Sequence, residues 1–165
     1  MTIDINDHIS LRSVTGDDLD VLLEAYAASR EFELSQVPWT DDIKRAFVRH
    51  QYQAQIDHYA AHFPAAEHQL IVFEGEAAGR LYIDRRTDEI AVMDLNILPL
   101  KRRKGIATAI LRGLMSEAAA SGRIIGVYLE VFNPAQKLFA DLGFTVTKDD
   151  GMSRRFEWNG AADHG

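Results

Sequence analysis

Hydrophobic and polar positions change period several times along the chain, and each change marks an element. Residues 8–14 set Ile9 and Leu11 against an outward arginine and close with Val14, the pattern of a half-buried strand. Thr15 followed three residues later by Asp18 is a helix N-cap signature, with a carboxylate near the positive end of the helix dipole. Leu19, Leu22, Leu23, Tyr26 and Ala27 then recur at helical spacing to about Arg30. Val37-Pro38-Trp39 reads as an irregular connection. Thr40, Asp41 and Asp42 start a second helix that ends before Pro64. Its expected core stripe is Ile43, Phe47, Ile56, Tyr59 and Phe63, while Gln51, Gln53 and Gln55 crowd its centre. Those glutamines read either as a solvated face or, with Tyr52, as the wall of a substrate groove.

From Gln69 the period shortens. Leu70–Phe73 is a short buried strand, Glu74-Gly75-Glu76 a hairpin turn, and Ala78–Asp84 the returning strand. Glu89–Leu98 is a further strand, ended by Pro99. Residues 105–120 carry the clearest helical stripe: Ile106, Ala107, Ile110, Leu111, Leu114, Met115 and Ala118, with Gly122 as C-cap. Strands at 126–131, 143–147 and 152–158 and a short helix at 133–142 complete the chain, leaving 159–165 as a frayed tail. The order β-α-α-β-β-β-α-β-α-β-β predicts one α/β domain with a mixed sheet of about seven strands flanked by four helices.

Composition narrows the function. A length of 165 residues favours a single domain, and 18 Lys and Arg against 25 Asp and Glu leave a net charge of −7. That balance argues against general nucleic-acid or anionic-membrane binding. There is no cysteine, so there is no disulfide, thiolate metal site or thiol nucleophile. The first residues lack the basic and apolar blocks of a signal peptide, and no apolar run approaches a membrane span. The expectation is a soluble, cytoplasmic protein.

Against this acidic background four consecutive cations, Lys101-Arg102-Arg103-Lys104, stand between a strand end and a helix start, followed by Gly105. A helix N-terminus leaves backbone N–H groups unpaired and carries partial positive charge, so a cationic, glycine-closed turn before it makes a pyrophosphate cradle. The spacing matches neither the Walker loop nor the Gly-x-Gly-x-x-Gly dinucleotide fingerprint. A nucleic-acid patch is the competing reading of the four cations.

Arg102-Arg-Lys-Gly105-Ile-Ala107 resembles the Arg/Gln-x-x-Gly-x-Gly/Ala signature of the GNAT superfamily of N-acetyltransferases. Asn133-Pro-Ala-Gln-Lys-Leu-Phe-Ala-Asp-Leu-Gly143-Phe144 is similar to that family's second block, one residue tighter between the asparagine and the Leu-Phe pair. The likeness covers residues 70–158 well and the first 65 by element order only. It implies a single-domain acyl-CoA N-acyltransferase fold over residues 1–158, with a splayed sheet. It also implies acetyl-CoA as co-substrate, without a metal. The resemblance places the pyrophosphate on Arg102, Arg103, Lys104, Gly105, Ile106, Ala107 and Thr108, and assigns Leu95, Asn96, Ile97 and Leu98 to orienting the thioester. It puts Asn133 on the pantetheine side and Phe139 near the thiol. Where many members have a tyrosine to protonate the leaving thiolate, this chain has Phe139.

Transfer to an amine needs a base, and Glu130, in a Leu-Glu-Val similar to that of ribosomal-protein alanine N-acetyltransferases, is the first candidate, Asp94 the second. Tyr128 or Tyr82 could stand in as the acid, or the thiolate could leave unaided near the helix N-terminus. Trp39, Gln51, Tyr52 and Gln55 are the candidate acceptor residues, for a small-molecule or peptide amine. Net acidity favours a cationic one. His58 and His62, at i and i+4, have metal-ligand spacing without an obvious third ligand. The expected activity is direct attack of a primary amine in a ternary complex. The alternative is a CoA-binding regulatory module with little turnover, motivated by Phe139. A homodimer is one assembly open to such a chain.

Overall fold

The computed structural model describes residues 2–160. Eight strands form one mixed sheet in the order β1-β2-β3-β4-β5-β6-β8-β7, where β1 is Thr2–Asp4, β2 Ile9–Ser13, β3 Glu67–Phe73, β4 Glu76–Arg85, β5 Glu89–Ile97, β6 Ile124–Glu130, β7 Thr145–Asp149 and β8 Ser153–Asn159. Five α-helices accompany it: α1 Leu19–Ser29, α2 Glu31–Ser35, α3 Asp41–His62, α4 Ile106–Ser121 and α5 Gln136–Asp141. The sequence pattern leads to seven strands and four helices. The additional elements are β1 and α2, three and five residues long, which carry no buried residue to mark a period. β1 is held instead by antiparallel pairing of Ile3 with Leu11, beyond a turn in which the Asn6 side chain accepts the His8 and Ile9 N–H groups at 2.8 Å each.

The chain divides into two compact units. The first comprises residues up to 81 together with 95–106. Here Leu22 and Tyr26 of α1, Tyr52 of α3 and Leu70 of β3 form the core, with Val14, Leu19, Ile56 and Val72 packed against it. Full burial of each such side chain contributes about 1.5–3 kcal/mol. The expected α3 stripe is displaced. Val48 and Tyr52 are the buried residues of that helix, Ile43 is exposed, and Phe47 packs edge-on to Trp39 at 5.1 Å. Val48, Tyr52 and Ile56 form an i, i+4, i+8 row, and Ile43 and Phe47 start a different one. Thr40 caps α3 by accepting the Ile43 N–H at 3.3 Å. Asp18 closes a capping box on Thr15 and takes both Arg12 guanidinium nitrogens at 2.8 and 2.9 Å.

The second unit comprises residues 82–94 and those from 107 on. Ile110, Leu111, Leu114 and Ala118 of α4 are buried, as are Ile125 and Val127 of β6. β8 lies antiparallel between β6 and β7. Asn159, expected in the tail, belongs to this sheet, where it pairs with Ile124, and beyond it the Gly160 N–H donates to Arg123 O at 2.9 Å. A Cβ at Gly160 would stand 2.4 Å from two carbonyl oxygens, which explains the glycine. The rest of the expected tail, 161–165, lies outside the described residues. A charged knot links Glu89, Arg155, Glu157 and Arg86, and Gly126 leaves room for it, since a Cβ there would meet Arg155 at 2.5 Å and Glu89 at 2.6 Å.

Candidate active site

Two backbone bonds define the β4–β5 hairpin. At its closed end the Arg86 N–H donates to Glu89 O, and at its open end the Leu98 N–H donates to Ala78 O, both at 2.8 Å. Residues 79–85 on one arm therefore face residues 90–97 on the other, seven against eight. The extra residue is a β-bulge in β5, which takes one residue's backbone groups off the ladder. Gly79 accommodates the resulting close approach: a Cβ at that position would stand 2.0 Å from Asn96 O. The parallel ladder of β5 with β6 runs from Glu89–Ile124 to Val92–Val127, while β5 continues to Ile97 and β6 to Glu130. Leu95, Asn96 and Ile97 are half-buried, and Leu98 is buried.

The turn that follows joins the end of β5 to α4. Pro99–Lys101 forms one 3-10 turn, Arg102 is extended, and Arg103 and Gly105 both adopt left-handed backbone, at φ +63° and +76°. Alternating hands in successive residues curl backbone N–H groups into a concave nest. α4 begins at once with Ile106, so the unpaired N–H groups of its first turn, through Ala107 and Thr108, adjoin the nest. A Cβ built on Gly105 meets no heavy atom within 4 Å, so the approach is open. The four cations are unequal. Lys101 reaches Glu76 at 3.5 Å and Arg102 turns its Nε–H toward Ile97 O at 3.4 Å, whereas Arg103 and Lys104 extend into solvent.

The remaining site residues fall in several surroundings. Asp94 and Glu130 are half-buried. The Glu130 carbonyl accepts from Asn133 N–H at 2.9 Å and from Gln136 Nε2 at 2.7 Å, which ties the end of β6 to the turn before α5. Asn133 Oδ1 accepts the Ala135 N–H at 2.9 Å. Tyr128 is exposed beneath the Arg155 guanidinium, 5.4 Å from its ring centroid, and Tyr82 is buried. Phe139 is 2% exposed and stacks edge-on to Phe144 at 5.0 Å, with Phe156 beyond.

The expected acceptor residues divide between two places. Trp39 packs on Phe47. Tyr52 is a core residue 5.9 Å from Tyr26, and Gln55 accepts a hydrogen bond from Arg80. Gln51 is half-buried on the same helix, and Gln53 is spent on Asp57 at 2.9 Å. The sequence reading passes over Arg80. It is fully buried in mid-β4, its guanidinium 5.8 Å from the Tyr26 ring and 5.5 Å from that of Tyr52. An arginine in the middle of the run Ala77-Ala78-Gly79-Arg80-Leu81-Tyr82-Ile83 was the available signal. His58 and His62 stack at 4.2 Å, and no group of three or more metal-ligating side chains is gathered among the described residues. No described helix is long and apolar enough to cross a membrane.

Residues 25–144 match the model of the Acetyltransferase (GNAT) family, and the chain belongs to that family. Among solved structures it is similar to the PaiA N-acetyltransferase from Thermoplasma acidophilum in complex with coenzyme A, with a TM-score of 0.69 at 15% identity over 92% of this chain and 98% of that one. It is also similar to the Salmonella typhimurium acetyl transferase that modifies the N-terminal serine of ribosomal protein L7/L12 (0.63, 17%, 96% and 99%) and to an acetyltransferase from Thermus thermophilus (0.65, 18%, 96% and 99%). At such identities the likeness is one of fold. No curated protein matches the chain in sequence.

Proposed function

We propose that the protein is an acetyl-CoA-dependent N-acetyltransferase that acts on a primary amine by direct attack. The observation that carries this reading is the nest of Arg103 and Gly105 at the N-terminus of α4, directly after the bulged end of β5. Coenzyme A seen in two neighbours of the same fold, the PaiA protein and a RimL ribosomal L7/L12 acetyltransferase, supports it. Backbone N–H groups from Arg102 to Thr108 would hold the pyrophosphate, with Arg103 and Lys104 adding charge. The backbone of Leu95–Leu98 would orient the thioester, and Asn133 would serve the pantetheine. When bound, acetyl-CoA supplies the activated acetyl group.

The acceptor nitrogen must be neutral to attack, so a carboxylate takes its proton, directly or through water. Glu130 is the first candidate and Asp94 the second. The new N–C bond forms as the C–S bond breaks. The thiolate leaves with a proton from Tyr128, Tyr82 or water, or leaves unaided. Phe139, enclosed by Phe144 and Phe156, offers no proton, and this favours a second reading as a CoA-binding module with slow turnover.

Calorimetric titration of acetyl-CoA into wild type and Gly105→Glu tests the reading, with circular dichroism to verify folding. Saturable binding abolished by the glutamate is expected, together with amine-dependent thiol release that Glu130→Gln slows. Absence of binding at millimolar ligand would overturn the acetyltransferase reading, and binding without turnover on any amine would leave the second.

A further inference from the structure

The last turns of α3 carry a pair of imidazoles that the acetyl-transfer reading does not use. His58 and His62 stand at i and i+4 on one face of the helix, their ring centroids 4.2 Å apart and their planes 32° from parallel. His62 Nδ1 lies 3.0 Å from the His58 carbonyl oxygen. A carbonyl can only accept, so Nδ1 carries the hydrogen, and in the neutral ring the free lone pair is on Nε2. Metal-bound histidines are held in this way, one ring nitrogen donating to a backbone carbonyl and the other left to the cation. Aromatic neighbours limit the rotamers open to both rings: Phe63 stands edge-on to His58 at 6.2 Å and 6.5 Å from His62, and Tyr59 is 6.1 Å from His58. Both histidines are exposed, and neither has a carboxylate partner among the described residues. Asp57, next to His58 in the chain, accepts from Gln53 at 2.9 Å.

We propose that His58 and His62 chelate a divalent transition cation of the copper, nickel and zinc class, with Nε2 of His62 and a ring nitrogen of His58 as the two protein ligands. Imidazole suits these ions, whereas magnesium and calcium take oxygen. Metal–nitrogen bonds of about 2.0–2.1 Å at a tetrahedral angle need nitrogens about 3.3 Å apart, which a small closing rotation of the two rings supplies. Water fills the remaining positions, so the site exchanges its metal and differs from a closed structural centre. The i, i+4 spacing exists only while α3 is helical, so the cation binds the folded chain and stabilises it. The site is independent of acetyl transfer and stands whether or not the protein binds coenzyme A.

Calorimetric titration of the untagged protein with copper, nickel, zinc and magnesium chlorides tests the proposal. One cation per chain is expected, with copper the tightest and magnesium without saturable heat. His58→Gln and His62→Gln should each weaken binding by about tenfold or more. His50→Gln, exposed on the same helix two turns earlier, should leave it unchanged. All three changes fall at exposed positions, and circular dichroism verifies folding. Nickel should raise the melting temperature of wild type and of His50→Gln, and not that of either other variant. In the electron paramagnetic resonance spectrum of the copper complex, the coupling of two nitrogens should fall to one in each of the His58 and His62 variants. Absence of saturable binding at millimolar metal overturns the proposal. So does binding of equal strength in the His58→Gln/His62→Gln double variant, because the metal then sits on other histidines of the chain.

Discussion

Replacing Asp18 by asparagine should remove an acid-sensitive part of the protein's stability. The Asp18 side chain is 8% exposed, and its carboxylate accepts two guanidinium bonds from Arg12. The Arg12 bond is the strongest influence on its ionisation, burial opposes it, and the Thr15 N–H adds to it. Together they lower the pKa from 3.8 to about 2. Because the folded value lies below the unfolded one, the stabilisation is complete above about pH 4 and disappears as pH falls through 2. That drop corresponds to about 2 kcal/mol at neutral pH. Urea unfolding of wild type and Asp18→Asn at pH 7, 5, 3.5 and 2.5 measures it. The stability gap between the two proteins should be constant from pH 7 to 5 and then shrink by most of that amount. A gap that stays the same from pH 5 to 2.5 would refute the assignment of the ion pair as the cause.

Three further substitutions probe the site. Gly79→Ala drives a Cβ into the Asn96 carbonyl and should destabilise by more than about 2 kcal/mol, or displace the β5 bulge and weaken coenzyme A binding; melting curves with and without ligand distinguish these. Arg103→Gly relieves a left-handed side chain and should raise stability by up to about 1 kcal/mol while lowering affinity for coenzyme A, read by denaturation and calorimetry on one sample. Phe139→Tyr introduces a hydroxyl into the Phe144–Phe156 cluster at a cost of about 1–3 kcal/mol. If thiolate departure limits turnover, the same variant raises kcat despite its lower melting temperature, and an unchanged kcat argues that departure needs no donor there.

The sequence carried most of the fold where a residue's surroundings repeat along the chain. The α4 stripe from Ile106 to Ala118, the Glu74–Gly75 turn with both residues at positive φ, and the Thr15–Asp18 box all depend on neighbours a few positions away. The misses depend on partners far off. β1 is a strand because Ser10–Arg12 lie alongside it, and the burial of Arg80 is set by Tyr26, Tyr52 and Gln55. The β5 bulge is a mismatch of one residue between two arms, visible only when both hydrogen-bonded ends are known. For the cradle, the sequence supplied the charges and the glycine, but not that Lys101 turns to Glu76 or that Arg103 takes the left-handed conformation.

The place of β8 has a kinetic consequence. Its seven residues lie between β6 and β7, so neither of those strands can complete its pairing until a segment made after both arrives. Until then β6, rich in isoleucine, valine, tyrosine and leucine, presents a bare edge, and β7 has no neighbour at all. Closing the second unit is therefore a late, non-local step, and the interval before it is when the nascent chain is most exposed to pairing with another molecule.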